Sequence, residues 1–274
     1  MNKKWVSLMI DYEKIESCIR EAGKIVLSAN LDNAEIEKKT GDANFCTEYD
    51  VRVQNFLIER LSGILPEASF FGEEETNNNV RDLNKEYIFY IDPIDGTTNF
   101  MFNYNHSSIS VGLAQNGEMI AGFVYNPYVD ELYKAFKGKG AFLNNKPIKL
   151  DDKSITEGII AFGCARYNEN RIDVLFDIVK ELFLKSLSIR SGGSAAIDLS
   201  RIAKGANVIY IELKLQPYDY AAASIILEEA GGIITRIGGG KISLSEPCSI
   251  LAGSKKAHAE VIKIAKEKGY ISEF

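Results

Sequence analysis

Histidine is nearly absent from this sequence: His106 and His258 are the only two among 274 residues. No G-x-S-x-G stretch occurs, so a Ser-His-Asp nucleophile has no parts to be built from. His258 falls on the last helical pattern and reads as structural, and His106, six residues beyond the acid motif described below, reads as a surface or packing residue. The four cysteines, Cys18, Cys46, Cys164 and Cys248, are scattered, with no C-x-x-C pair. That argues against a disulfide framework or a zinc knuckle, and each reads as a small packing residue in a reducing compartment. No apolar run approaches the ~18 residues of a membrane span. The opening MNKKWVSLMIDYEK sets two lysines before a short apolar run, but the run ends at Asp11 with no small-residue cleavage site, so a cytoplasmic location is expected. Nor is there an excess of positive charge. With 38 acids against 32 bases and a net charge of −6, nucleic acid is not expected as the main ligand.

What is present is ordinary for a globular chain: 46% hydrophobic and 26% charged residues, in a length that buries a sizeable core as one large domain or two small ones. Asp11 can cap a helix whose face holds Ile15, Cys18, Ile19, Ala22, Ile25 and Val26. A second helical pattern covers 50–61. Strand signals follow: 87–91, then 107–114 and 119–125 around Asn116-Gly117, a hairpin dipeptide, then 131–136 and 141–143 around KGKG. Beyond about residue 151, strands near 158–162, 186–190, 207–212 and 249–252 alternate with helices near 170–184, 195–204, 219–230 and 256–268. Gly231-Gly232 reads as a helix C-cap. Gly238–Gly240 lacks the lysine of a phosphate loop and reads as a hairpin turn. The first half (1–150) is thus α+β with antiparallel strands, and the second (151–274) is α/β.

The stretch IDPIDGTTNF, 91–100, ends the buried strand on two acids. Pro93 has no N–H and is expected to stop the ladder there, turning Asp92 and Asp95 toward one point and freeing the Ile94 carbonyl. Hard divalent cations take such oxygens. The amides after Gly96 would face an anion if they begin a helical turn. The same residues also make an ordinary strand-to-loop turn. Glu73-Glu74-Glu75 after Phe70-Phe71-Gly72 are three adjacent acids that either repel around a cation or form a solvated loop. Asp219, at the first turn of an apolar helix in PYDYAAA, is either a ligand or an N-cap.

Taken together, G-E-E at 72–74, D-P-I-D-G-T-T-N-F at 92–100, and P-Y-D-Y-A-A-A followed by E-A-G-G up to 232 resemble the inositol monophosphatase family of metal-dependent, lithium-sensitive sugar phosphatases. Their order and spacing match over nearly the whole chain. The resemblance implies a layered α-β-α-β-α sandwich of the sugar phosphatase type. It implies two or three Mg²⁺ ions and a small phosphorylated polyol or sugar as substrate, inositol monophosphate first, hydrolysed by metal-activated water. It also implies a homodimer. Residue by residue, it implies that Glu73, Asp92 and the Ile94 carbonyl hold one metal, and that Asp92, Asp95 and Asp219 hold a second. Thr97 and Glu73 would orient the attacking water, with Asp95 also in the catalytic set, and the Gly96 and Thr97 amides would bind phosphate. Gly193, Ser194 and Ala195 would line the sugar site, Glu212 would bind its hydroxyls, and Asp219 would meet the substrate as well. The N-terminal half then carries Glu73, Asp92 and Asp95, and the C-terminal half carries Asp219 and the substrate site.

The chain departs from the family pattern at Asn44, where an aspartate is usual. Lys39, Thr47 and Asp50 match, but Phe45-Cys46 replace aliphatic residues. A third metal and lithium sensitivity are the implied properties this departure touches. Tyr218 stands for a common tryptophan, and Lys214 and Gln216 adjoin the sugar site. The motifs specify the reaction more than the substrate. Fructose bisphosphate, histidinol phosphate, NADP and 3'-phosphoadenosine nucleotides remain alternatives, as do a regulatory protein of the same fold and a plain metal binder.

Overall fold

The computed structural model describes residues 10–31, 36–38, 45–74, 81–164 and 172–270. Lys39, Asn44 and Glu75 lie outside the described residues. In chain order the elements are α1 (Tyr12–Leu27), β1 (Ile36–Lys38), β2 (Phe45–Thr47), α2 (Glu48–Ile64), β3 (Ser69–Gly72), β4 (Tyr87–Asp95) and α3 (Thr97–Met101). Five strands follow: β5 (Ser108–Gln115), β6 (Glu118–Asn126), β7 (Glu131–Phe136), β8 (Gly140–Leu143) and β9 (Lys146–Ile148). The second half adds β10 (Ile159–Phe162), α4 (Ile172–Phe183), β11 (Ser188–Arg190), α5 (Ala195–Ala203) and β12 (Ile209–Leu215). It closes with α6 (Pro217–Glu229), β13 (Ile233–Thr235), β14 (Cys248–Gly253) and α7 (Lys255–Glu267).

Strands β3 to β9 form one sheet in sequential order, antiparallel except for the parallel β3–β4 pair. A second sheet has the order β11-β10-β12-β14-β13. Helices α1 and α2 cover one face of the first sheet. Helices α5 and α6 lie between the two sheets, and α4 and α7 cover the far face of the second. The result is the expected α-β-α-β-α sandwich. The main cores filling the gaps are Ile15, Leu57 and Phe89 under α1 and α2; Ile197, Tyr220 and Ile226 between the sheets; and Ile160, Leu182 and Val261 beneath α4 and α7. Among the described residues no helix is long and apolar enough to cross a membrane.

The local signals explain most boundaries. Asp11 caps α1 by accepting from the Lys14 N–H at 3.1 Å. Asn116 (φ 50°) and Gly117 (φ 76°) make the left-handed turn of the β5–β6 hairpin. Gly231 (φ 98°) ends α6, its N–H bonding to the Glu228 carbonyl at 2.9 Å. Two expectations are corrected. The β4 ladder does not stop at Pro93: it resumes with Asp95 paired to Ser108 after a register shift from the Asp92–Ser110 pair. A bulge there accommodates the residue that lacks an N–H. The glycines at 238–240 do turn the chain, but no strand follows at once. β13 pairs instead with β14 from Cys248 on, because 241–247 is irregular.

α6 can enter between the sheets because two glycines meet beneath it. Gly112 and Gly122 are cross-strand partners. A Cβ on Gly122 would stand 2.3 Å from the Ala222 carbonyl oxygen, and one on Gly112 3.0 Å from the Ala222 nitrogen. Helix backbone therefore rests on bare sheet backbone. α5 carries a buried acid of its own. Asp198 accepts from the Gly192 N–H at 3.1 Å, holding the turn that leads into the helix. Burial pushes its carboxyl up to about 7, against the pull of Arg201.

Two outcomes follow. Gly122→Ala forces α6 off the sheet and should cost about 1–3 kcal/mol, read as a fall of several degrees in the thermal midpoint. Because native Asp198 holds its proton more tightly than the unfolded chain does, its contribution makes stability fall as pH rises from about 4 through about 7. Asp198→Asn keeps an oxygen for the Gly192 N–H but cannot ionise. In urea unfolding at pH 5 and pH 8 it should flatten that fall and exceed the wild type at pH 8 by on the order of 1–2 kcal/mol.

Candidate active site

The bulge at Pro93 delivers Asp92 into the space between the first sheet and α6. Asp92 is 2% exposed, and its Oδ1 is buried without a hydrogen-bond partner. Its carboxyl is pushed well above the usual carboxylate range, first by burial and then by Glu73, Asp95, Asp219 and Asp50. Asp219 is half-buried as a residue, yet its carboxyl is shifted upward as well, by burial and then by Glu73 and Asp95. The four acids drawn from β4, α6 and the turn after β3 therefore do meet in one electrostatic neighbourhood. Among the described residues no three acid, histidine or cysteine side chains already stand as a closed metal cage. The fit to a hard cation rests on the orphaned, buried Asp92 oxygen and on the repulsion that a cation would relieve.

Each acid is held differently. Asp219 is not the N-cap but the third residue of α6, where Oδ2 accepts from the Gln216 N–H at 2.6 Å. Asp95 lies against the start of α5. The Ala195 N–H reaches its Oδ1 at 3.2 Å, the Ala196 N–H reaches its Oδ2 at 2.8 Å, and the hydroxyls of Ser194 and Ser108 also donate to Oδ2. Burial still leads the shift of Asp95 upward, and these donors oppose it. Gly193, Ser194 and Ala195 are thus brought to the acid cluster, with Ser194 and Ala195 bonded directly to Asp95. The Ile94 carbonyl is not left open as expected: it accepts the Thr97 hydroxyl at 3.2 Å, which leaves it a second lone pair.

Gly96 sits before α3 at φ 93°, and a Cβ there would stand 2.8 Å from the Gly193 carbonyl oxygen. Only glycine combines that backbone with that approach. Thr97 follows it, half-buried, with its hydroxyl also 3.2 Å from Asp50 Oδ1. Asn99 ties this turn to the second half of the chain: its side-chain N–H₂ donates to the His106 carbonyl at 2.7 Å and to the Gly192 carbonyl at 2.8 Å. Glu212 is buried on β12, and the Tyr210 hydroxyl donates to its Oε2. Burial pushes its carboxyl up to about 8. Gly163 lies against that oxygen, since a Cβ on it would fall 2.1 Å away.

Sequence reasoning gave no role to two supports, Asp50, noted only as a match to the family pattern, and Gln54. Asp50 forms a capping box with Thr47, whose N–H bonds to Asp50 Oδ2 at 2.8 Å, so one carboxylate starts α2 and reaches Thr97. The T-x-x-D spacing could have signalled it. Gln54, one turn later, has no such signal. His106 keeps a buried Nε2 without a partner, and burial lowers its pKa to about 4. His258 bonds Thr235 at 2.8 Å, a packing role as expected.

Comparison with known proteins places these residues in a family. The model of the inositol monophosphatase family matches residues 10–270. The chain is 36% identical over 249 residues to an inositol-1-monophosphatase of Bacillus subtilis (strain 168), covering 89% of this chain and 92% of that protein. It is 32% identical to a fructose-1,6-bisphosphatase/inositol-1-monophosphatase of Aquifex aeolicus (strain VF5), covering 93% and 96% of the two chains. The crystal structure of the extragenic suppressor protein suhB from Bartonella henselae superposes with a TM-score of 0.86 at 26% identity, over 92% of this chain and 96% of that one. The chain therefore belongs to the inositol monophosphatase family of phosphatases.

Proposed function

We propose that this chain hydrolyses the phosphate monoester of a small polyol, inositol monophosphate first, with Mg²⁺ held by Glu73, Asp92, the Ile94 carbonyl, Asp95 and Asp219. The observation that carries this reading is the buried Asp92 oxygen with no partner, set among three further acids. A pocket that concentrates negative charge around an unsatisfied acceptor is the reverse of one built to bind phosphate unaided. The family is generally Mg²⁺-dependent. Bound there, Mg²⁺ would supply an acidified water and positive charge beside the phosphate oxygens.

The chain's own residues then divide the remaining work. The Thr97 hydroxyl has one proton and two acceptors in reach, Asp50 and the Ile94 carbonyl. Its lone pairs are left to accept from a water, whose proton Glu73 can take. The Gly96 and Thr97 N–H groups supply donors to the phosphate. Ser194, Ala195 and Glu212 face the alcohol portion. With one Glu212 oxygen occupied by Tyr210, the other remains for a sugar hydroxyl, and a carboxyl whose pKa stands at about 8 can donate as well as accept at neutral pH. The relatives' names support inositol monophosphate, and the Aquifex protein's dual name keeps fructose bisphosphate as a second substrate to test. A cytoplasmic homodimer belongs to the same reading, supported by the family alone.

The test is a panel of phosphomonoesters with and without millimolar Mg²⁺. Metal-dependent phosphate release, with inositol 1-phosphate among the best substrates, is expected; no release from any member would overturn the proposal. Asp92→Asn should lower kcat/KM beyond the about 10–100-fold that follows loss of a residue behind a metal ligand. The metal-free variant should melt no lower than the wild type, because a repelling buried charge has been removed. A fully active Asp92→Asn enzyme would contradict the assignment.

A further inference from the structure

The turn that carries Glu73 is fastened from both sides. Upstream, the Glu73 N–H donates to the Ile91 carbonyl of β4 at 3.0 Å. Downstream, Gln54 of α2 grips the backbone of the next residue with both ends of its amide: its Oε1 accepts from the Glu74 N–H at 2.9 Å, and its Nε2 donates to the Glu74 carbonyl at 2.7 Å. The Gln54 side chain is wholly buried. A Cβ on Gly72 would stand 2.4 Å from Gln54 Oε1, so the glycine before Glu73 is what lets the amide close on the turn. Gln54 lies four residues after Asp50, on the same face of α2, and Asp50 reaches Thr97 at 3.2 Å. One rigid helix thus holds both segments that frame the attacking water in the proposed function.

We infer that Gln54 is a positioning residue for the metal pocket: its two-way bond to the backbone of Glu74 sets where the Glu73 carboxylate stands. The inference rests on the proposed function. The side chain touches no reacting atom and acts through Glu73 alone. Geometry singles out a primary amide for this task. One neutral group must accept from an N–H and donate to the C=O of the same residue, as a neighbouring strand would, and no hydrocarbon of the same shape can do either. With the clamp gone, Glu73 would have to be ordered when the cation binds, and affinity would fall by the cost of that ordering.

The full-length protein tests this with Gln54→Met, close in size but without hydrogen bonds, and with Gln54→Ala. Val53→Ala, on the same helix and buried in the core beneath it, reports general loosening. Three quantities are read: hydrogen exchange of the Glu74 amide in metal-free protein, the Mg²⁺ concentration at half-maximal thermal stabilisation, and kcat and KM for inositol 1-phosphate. Both Gln54 variants should exchange the Glu74 amide at least about tenfold faster and need about tenfold more Mg²⁺. At fixed Mg²⁺ their kcat should fall more than KM changes. Val53→Ala should melt lower yet leave the Mg²⁺ titration and the Glu74 exchange as in the wild type. Wild-type titration by Gln54→Met, or an equal shift in Val53→Ala, would overturn the clamp while leaving the proposed function standing. A wild-type protein that takes up no Mg²⁺ at all would overturn both.

Discussion

The structure is organised around mutual repulsion among acids that the fold keeps close together, with Asp92 and Asp95 buried. Asp92 is the centre of this constraint, because it is buried, unpartnered at one oxygen, and faced by Glu73, Asp95 and Asp219. Nothing local in the sequence makes such an arrangement favourable, since each carboxylate would be better solvated elsewhere. The surrounding elements supply the restraint. β4 bulges at Pro93, α6 begins with its third residue turned back on Gln216, and the turn after β3 is pinned to β4 and α2. Under the proposed function, that repulsion is what a small, hard cation would relieve.

Asp95 has a second role in the same architecture. It comes from β4 in the first half of the chain and is bonded by Ser194, Ala195 and Ala196 at the start of α5 in the second. The N-terminus of a helix favours negative charge, so this contact opposes the upward shift that burial imposes on Asp95. It also fixes the end of β4 to the start of α5. Asn99 repeats the link a few residues on, by way of Gly192. The separation between the turn at Gly96 and the start of α5 is therefore set by direct bonds.

Much of this was legible in the sequence. The strand–helix alternation beyond about residue 151, the helix faces, the Asn116-Gly117 hairpin and the Gly231 cap are local signals, and their elements stand close to where spacing put them. The acid motifs were legible because Pro, Gly and Asp carry strong backbone constraints. The bulge that continues β4 past Pro93 was not, since pairing is decided by what β5 offers across the gap at Ser108. Asp219 at the third helical position, in place of the cap, depends on Pro217 taking the first. The two-way bond of Gln54 joins residues twenty positions apart, and a glutamine in a helix announces nothing about what its amide will meet.

The paired glycines beneath α6 carry a consequence for how the enzyme comes into being. α6 is the only helix of the described residues to touch most strands of the first sheet while packing also against the second, and it brings Asp219 with it. A nascent chain that has made only its first 150 residues would present a sheet with an uncovered, glycine-flattened face and a cluster of acids one member short. Asp219 joins the other three acids only when α6, supplied by the residues that follow, packs onto that face.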